Sequence, residues 1–462
     1  MQATIVAKIG NNVINLLGKF ANQIGEKVNF IKRRDKAKIT PDAFCKVVIL
    51  GYLLDIKLSL QGLAQLFKQE GIEISKQAVH ERFNPAAVEL MKGLFKESLG
   101  RFKIAESVVI DLLQPFSSIK ILDSSTIALP PHMKELYKGC GGIGPEAALK
   151  IQTLLDYGNG QIEDIMITEG RKNDQSFKGH LDQIEEGALY LQDLGYFNVA
   201  SFDKLAQNKA YFISRLFTQT ALYDVNKERI DLARKLRESG LFFTMDVLLS
   251  KKHKVPVRLI VQRLSDENAA ISARKIRINA RKHGNTPTQE TLAYAGWSIC
   301  VTNVPKEMLK AEQVYLLYSV RWHIELFFKL CKQEAGIATI RSKKTDRILC
   351  EIYARLIGVM MVLYISWPVR WELGGERELS FPKAYQCLRK KITEFFKALN
   401  SLYRLKLFLQ EFLSDLQDFA MKDIKRRKPA THQKLMASTG QKALGQKLAP
   451  HQELMGDVSC QA

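Results

Sequence analysis

Cysteine is sparse in this 462-residue chain: seven residues, at 45, 140, 300, 331, 350, 387 and 460, with no CxxC pair among them. That scatter excludes a disulfide framework and a thiolate zinc site, and it fits a reducing, cytoplasmic compartment. Cys331 and Cys350 read as small apolar residues of helices. The eight histidines show no HExxH or paired-ligand spacing. Long apolar runs are missing too. The longest, Leu356 to Trp367, contains Gly358 and Ser366 and stops at Pro368, so it reads as a buried helix and not as a bilayer span. The N-terminal MQATIVAKIGNNVINLLGKFANQIG lacks the ordered basic, apolar and small-residue zones of a signal peptide and reads as an amphipathic helix. Negative charge is the last shortage: 69 Lys+Arg face 48 Asp+Glu, a net +21, in a chain that is 46% hydrophobic. A globular chain so basic, in which nothing favours a membrane, expects a nucleic acid as its polyanionic partner.

What is present falls into blocks. Residues 1–110 read as helical. Within them SLQGLAQLFKQEGIEISKQAVHERF (59–83) has the outline of a helix-turn-helix: a helix to Gln69, a break at Gly71, and Ser75 capping a second helix. Lys76, Gln77, His80 and Arg82 are its candidate DNA contacts, against the plainer reading of a helical hairpin. From 118 the pattern turns to strands: SIKILDSSTIAL (118–129), two strands across 150–170 around Gly158-Asn159-Gly160, and ALYLQDLGY (188–196). A helix over 197–209 and a strand at 211–216 follow. Three meandering strands and then strand–helix–strand is the order of a ribonuclease H-like mixed sheet, so the fold class is α/β. Residues 217–295 read as a β-rich basic insertion. Its stretch ARKIRINARKHGNTPTQE suits a DNA backbone contact, and a solvated charged helix is the competing reading. The core resumes with WSICVTNV (297–304) and runs through 296–370, and 371–462 read as helical with a basic tail from Lys422. The resulting division is 1–110, 111–216, 217–295, 296–370 and 371–462.

The sharpest pattern is YSVRWHIELFFKLCK (318–332), without Pro or Gly. On an α-helix, Tyr318, Arg321, Glu325 and Lys332 fall within roughly 60° of arc, and Lys329 shares the stripe. A carboxylate between cations, with a phenol nearby, can hold a divalent metal while its neighbours grip phosphates. The bland alternative is a solvated, salt-bridged helix face. Asp123, ending ILD, and Asp193, in YLQDLGY, provide acids on two strands that are neighbours in such a sheet. The rival acids read otherwise: Asp111 as a helix or turn residue, Asp156 and Asp164 as flanking the hairpin, and Asp174 as the N-cap of a following helix.

The run Tyr318-x2-Arg321-x3-Glu325-x6-Lys332, with ILDSST, KIQTLLDY, DLGYF and GWSICVTNV in order, resembles the YREK signature of bacterial DDE transposases of the insertion-sequence-four family. The resemblance covers roughly residues 40–370. It implies a catalytic triad of Asp123, Asp193 and Glu325 holding two Mg²⁺ ions, with Mn²⁺ able to substitute. It implies phosphate binding by Tyr318, Arg321 and Lys332, and base stacking by Trp297. The expected function is cut-and-paste transposition on double-stranded DNA, at element ends with terminal inverted repeats and at a target, by a homodimer in the bacterial cytoplasm at the nucleoid. Two other readings stand beside it: a ribonuclease H-like nuclease without strand transfer, and a DNA-binding regulator with a decayed core.

Overall fold

The computed structural model describes residues 2–32, 37–103, 110–142, 144–282, 284–370, 377–422 and 431–440. The described residues hold nine strands: β1 (Ile119–Leu129), β2 (Ala147–Asp156), β3 (Gln161–Glu169), β4 (Leu189–Gln192), β5 (Tyr211–Arg215), β6 (Leu222–Tyr223), β7 (Phe242–Leu249), β8 (Val255–Arg263) and β9 (Trp297–Thr302). They are distributed over two compact units, neither continuous in sequence. One gathers Met1–Ile110, Ser124–Lys172 and His323–Ala462; the other gathers Asp111–Asp123 and Asn173–Trp322.

The first unit is mainly helical. Its central helix, Thr345–Ser366, carries the apolar run that begins at Leu356 and packs on helices Pro41–Leu54 and Pro85–Arg101. By length and composition Thr345–Val369 is able to cross a membrane, but 89% of its most apolar window is buried inside the protein, which makes it a core helix. Polar groups on this helix tie down the chain around it. Glu351, 3% exposed, accepts from the Tyr52 hydroxyl at 2.6 Å and from Arg347 Nε at 2.8 Å. Arg355, 2% exposed, donates to the carbonyls of Gly336 (2.6 Å) and Ile56 (2.8 Å). A buried guanidinium so placed is compensated, as burial requires.

The helix-turn-helix outline is met in secondary structure. Helix Leu60–Gln69 ends before Gly71, whose φ of +78° suits glycine, and the Ser75 hydroxyl accepts from Ala78 N to start helix Lys76–Arg82. Of the four candidate contacts, Lys76 and Gln77 are exposed. Arg82 instead donates to the Phe30 carbonyl at 3.1 Å and lies over the Phe30 ring. The hairpin β2–β3 also forms as read, antiparallel, and Asp156 caps its turn by accepting from Gly158 N at 2.8 Å.

In the second unit β1 pairs parallel with β4, and β4 with β5; β5, β9, β8, β7 and β6 then follow, each antiparallel to the last. This is a mixed α/β sheet, and the chain has the ribonuclease H-like fold. Residues 217–295 are not simply β-rich. Beside β6, β7 and β8 they hold helices Leu232–Glu238, Asp266–Lys282 and Gln289–Ala293. The first part of the cationic stretch, 273–282, lies on helix Asp266–Lys282, which has no buried residue and leaves its charged side chains solvated. Asp266 and Glu267 in its first turn and Arg281 and Lys282 in its last match the helix dipole. Asp174 does not cap a helix: Asn173 does, accepting from Gln175 N ahead of the short 3₁₀ turn Asp174–Ser176. Of the basic tail, only Lys422 and residues 431–440, with helix Thr431–Ala437, are described; the rest lies outside the described residues.

Candidate active site

The register of β1 and β4 positions the two aspartates. Leu122 is paired with Gln192 on adjacent parallel strands, which run about 4.8 Å apart, so Asp123 on β1 and Asp193, the first residue beyond β4, come next in register. In a parallel pair, residues at matching positions face the same side, and here that sets two carboxylates side by side. One guanidinium serves both: Arg321 Nη1 lies 2.8 Å from Asp123 Oδ2, and Arg321 Nε lies 3.8 Å from Asp193 Oδ1. The Asp123 side chain is 15% exposed and that of Asp193 42%, so this pair opens to solvent on the Asp193 side.

The helix Ala311–Tyr318 brings Arg321 there because it is bolted to the sheet. The Tyr315 hydroxyl lies within donating distance of the carbonyls of Ser298 (2.5 Å) and Ile260 (2.8 Å) on β9 and β8. Tyr318 donates to the Gln192 carbonyl at 3.2 Å, bracing the strand end that carries Asp193. Burial raises the Tyr318 phenol above its ordinary range, Arg321 opposing that rise and Asp193 adding to it, so the hydroxyl stays protonated and able to donate. Beneath the strand end, His180 is 5% exposed and 3.4 Å from the Gln192 amide; burial, with Lys204 adding to it, lowers its pKa to about 4 and keeps the ring neutral at physiological pH.

The segment 318–332 is not one uniform α-helix. Ser319–Arg321 form a 3₁₀ turn, Trp322–Lys329 an α-helix and Leu330–Glu334 a π turn. The Ser319 hydroxyl donates to the Leu316 carbonyl at 2.6 Å, a local bond of the kind that competes with the helical ladder. The wider final turn carries Lys332 out of the strict 100° register. Glu325 lies in the first turn of Trp322–Lys329 and is half-buried; Lys332 is exposed. Both belong to the first unit, whereas Asp123, Asp193, Tyr318 and Arg321 belong to the second. Lys329, also exposed, borders a first-unit cavity of about 160 Å³ lined by Tyr157, His323, Phe327 and Arg370 among others. Trp297 opens β9, half-buried against the second unit's core with Arg263 over its ring at 5.9 Å. Sequence reasoning passed over Trp322, 57% exposed and next to Arg321. The signal was available: periodicity places it off the apolar side of its helix.

No cluster of three or more His, Cys, Asp or Glu side chains among the described residues forms a metal cage. The second unit instead supplies a pair of carboxylates that share the Arg321 guanidinium, and carboxylate oxygens are donors of the kind a divalent ion takes.

A ribonuclease H-like sheet with two acids at matched positions on its central parallel strands is the architecture of enzymes that act on phosphodiesters. The chain belongs to the DDE transposase family: the profile described as the transposase DDE domain matches residues 114–361. Domains of this family generally use divalent metal ions and cleave and join DNA strands. The chain is similar to the transposase for insertion sequence element IS231B of Bacillus thuringiensis subsp. berliner, 28% identical over 410 residues, which cover 83% of this chain and 85% of the relative. It is also similar to the transposase for insertion sequence element IS1151 of Clostridium perfringens, 26% identical over 436 residues, with 88% and 91% covered.

Proposed function

We propose that the chain excises an insertion sequence from double-stranded DNA and joins it to a new site, with Asp123, Asp193 and Glu325 holding two Mg²⁺ ions. The register Leu122↔Gln192, which sets Asp123 and Asp193 side by side under Arg321, carries this reading. When bound, the ions supply activation of the attacking oxygen and charge stabilisation of the leaving oxygen, the two demands of in-line displacement at phosphorus. The residues around the acids do the rest. Arg321 and Lys332 bind phosphates of the element end, Tyr318 fixes the level of Gln192 and Asp193 beside them, and Trp297 stacks on an unpaired base, an interaction worth about 1–3 kcal/mol.

Four displacements compose the reaction. Water cleaves one strand and leaves a 3′-hydroxyl; that hydroxyl attacks the opposite strand and closes a hairpin. Water then opens the hairpin, and the 3′-hydroxyl finally attacks target DNA. Each step breaks one P–O bond and forms one. The hairpin route follows the YREK resemblance. Helix Lys76–Arg82, through Lys76 and Gln77, and helix Asp266–Lys282 supply further DNA contacts, and two copies of the chain hold the two ends.

Purified chain and a duplex ending in the element's terminal repeat test the assignment. Asp123→Asn, Asp193→Asn and Glu325→Ala are each expected to lower Mg²⁺-dependent cleavage by at least about 10³-fold, while gel-shift affinity for the end stays close to that of the unsubstituted chain. Full cleavage by Glu325→Ala would remove it from the triad. Joined element–target product distinguishes a transposase from a nuclease that only cuts.

A further inference from the structure

Arg321 lies on the oxygens that a divalent cation needs. Its Nη1 donates to Asp123 Oδ2 at 2.8 Å, its Nε is 3.8 Å from Asp193 Oδ1, and its side chain is only 17% exposed. Two carboxylates at matched positions of neighbouring strands repel each other, and the guanidinium between them relieves that repulsion. A divalent ion relieves it more strongly, through the same lone pairs, and cannot share the place with a guanidinium without strong like-charge repulsion. The surroundings allow an exchange. Tyr315 and Tyr318 pin the backbone of the preceding helix to Ser298, Ile260 and Gln192, so the long Arg321 side chain can swing while the helix stays in place.

We propose that Arg321 is an exchangeable cation: it holds Asp123 and Asp193 together until a divalent ion takes its place, and the displaced guanidinium then becomes a ligand for a DNA phosphate. The inference rests on reading both aspartates as metal ligands. It has two consequences that a merely structural ion pair lacks. Arg321 weakens metal binding to the DNA-free protein, because the ion must displace it. Metal and DNA phosphate bind with positive coupling, because the ion frees the guanidinium that the phosphate receives, and such coupling is reciprocal.

Calorimetric titration of the full chain with Mn²⁺, without DNA, reads the first consequence. Arg321→Gln is expected to bind Mn²⁺ about tenfold more tightly than the unsubstituted chain, within the usual range of such couplings, and Arg321→Lys to fall between. Affinity for an element-end duplex in Ca²⁺ against EDTA reads the second: the ion strengthens binding several-fold in the unsubstituted chain and has no such effect in Arg321→Gln. Unchanged or weaker Mn²⁺ binding in these variants overturns the exchange; if Arg321→Gln fails to fold, Arg321→Lys decides alone. Asp123→Asn separates the two readings. Undiminished Mn²⁺ binding in that variant means that the metal-ligand reading itself fails. Lost binding there, with no gain in the Arg321 variants, means that only the exchange fails.

Discussion

Charged residues sealed inside the first unit are tolerated where charges or hydrogen bonds compensate them, and Glu378 is the extreme case. It is 4% exposed, with Lys422 Nζ 2.5 Å away and the rings of His323 and His432 at 4.0 and 3.9 Å. Burial alone raises a carboxyl pKa, yet Lys422, His323 and Arg370 together outweigh it and hold Glu378 at about 2, against an ordinary 4.5. The sign follows. The carboxylate's stabilising contribution is complete above about pH 4.5 and is lost as pH falls towards about 2. In Glu378→Gln the positive groups remain buried without their partner, a loss of about 3–5 kcal/mol at neutral pH. Thermal unfolding across this range is expected to show a lower midpoint in the variant and a shallower acid dependence than in the unsubstituted chain; equal slopes would count against the pairing. Little of this cluster was legible in the sequence. Glu378 stands in GERELSF, where nothing local distinguishes a buried acid from a surface one. The placement of Asp123 and Asp193, in contrast, was readable because each follows a short apolar run, Asp123 within β1 and Asp193 directly after β4.

Elements were legible where their causes are local. Ser75, Gly71 and the Asn159-Gly160 turn announce themselves within four residues, and all three form as expected. The pairing of β8 with β9 is long-range, so no local signal showed that a segment read as an interruption extends the sheet. The 3₁₀ turn at Ser319–Arg321 escaped for a different reason: helical spacing cannot show that a serine hydroxyl will compete for the Leu316 carbonyl. Helix Asp266–Lys282 is the element whose character sequence left most open. Without a buried residue it contributes little to the core, and Arg274, Lys275, Arg277 and Arg281 are all exposed on it. Glutamine at these four positions is expected to flatten the dependence of log affinity for DNA on log salt by about 0.9 for each phosphate that is no longer neutralised, with the thermal midpoint nearly unchanged. An unaltered slope would place the helix away from DNA.

At the scale of the whole molecule, the net +21 supplies attraction to any duplex, and selectivity for an element end must come from the few side chains that meet bases. Cut-and-paste also demands that both ends be held at once. Sedimentation of the chain mixed with end duplexes in Ca²⁺ is expected to give a complex of two chains and two duplexes; a stable one-to-one species as the cleaving form would contradict it.

The chain passes between its two units after Ile110, Asp123, Lys172 and Trp322, and this path has a consequence for the life of the protein before it is finished. Asp123 leaves the ribosome early, its strand partner β4 follows, and Arg321 comes last of the three. At about 5–20 residues per second, the roughly 200 residues between Asp123 and Arg321 take on the order of 10–40 s to synthesise. From the synthesis of Asp193 onwards the nascent chain carries acids that repel each other and strand edges still without neighbours. Any truncated product ending before residue 321 is therefore born without the cation that gathers Asp123 and Asp193.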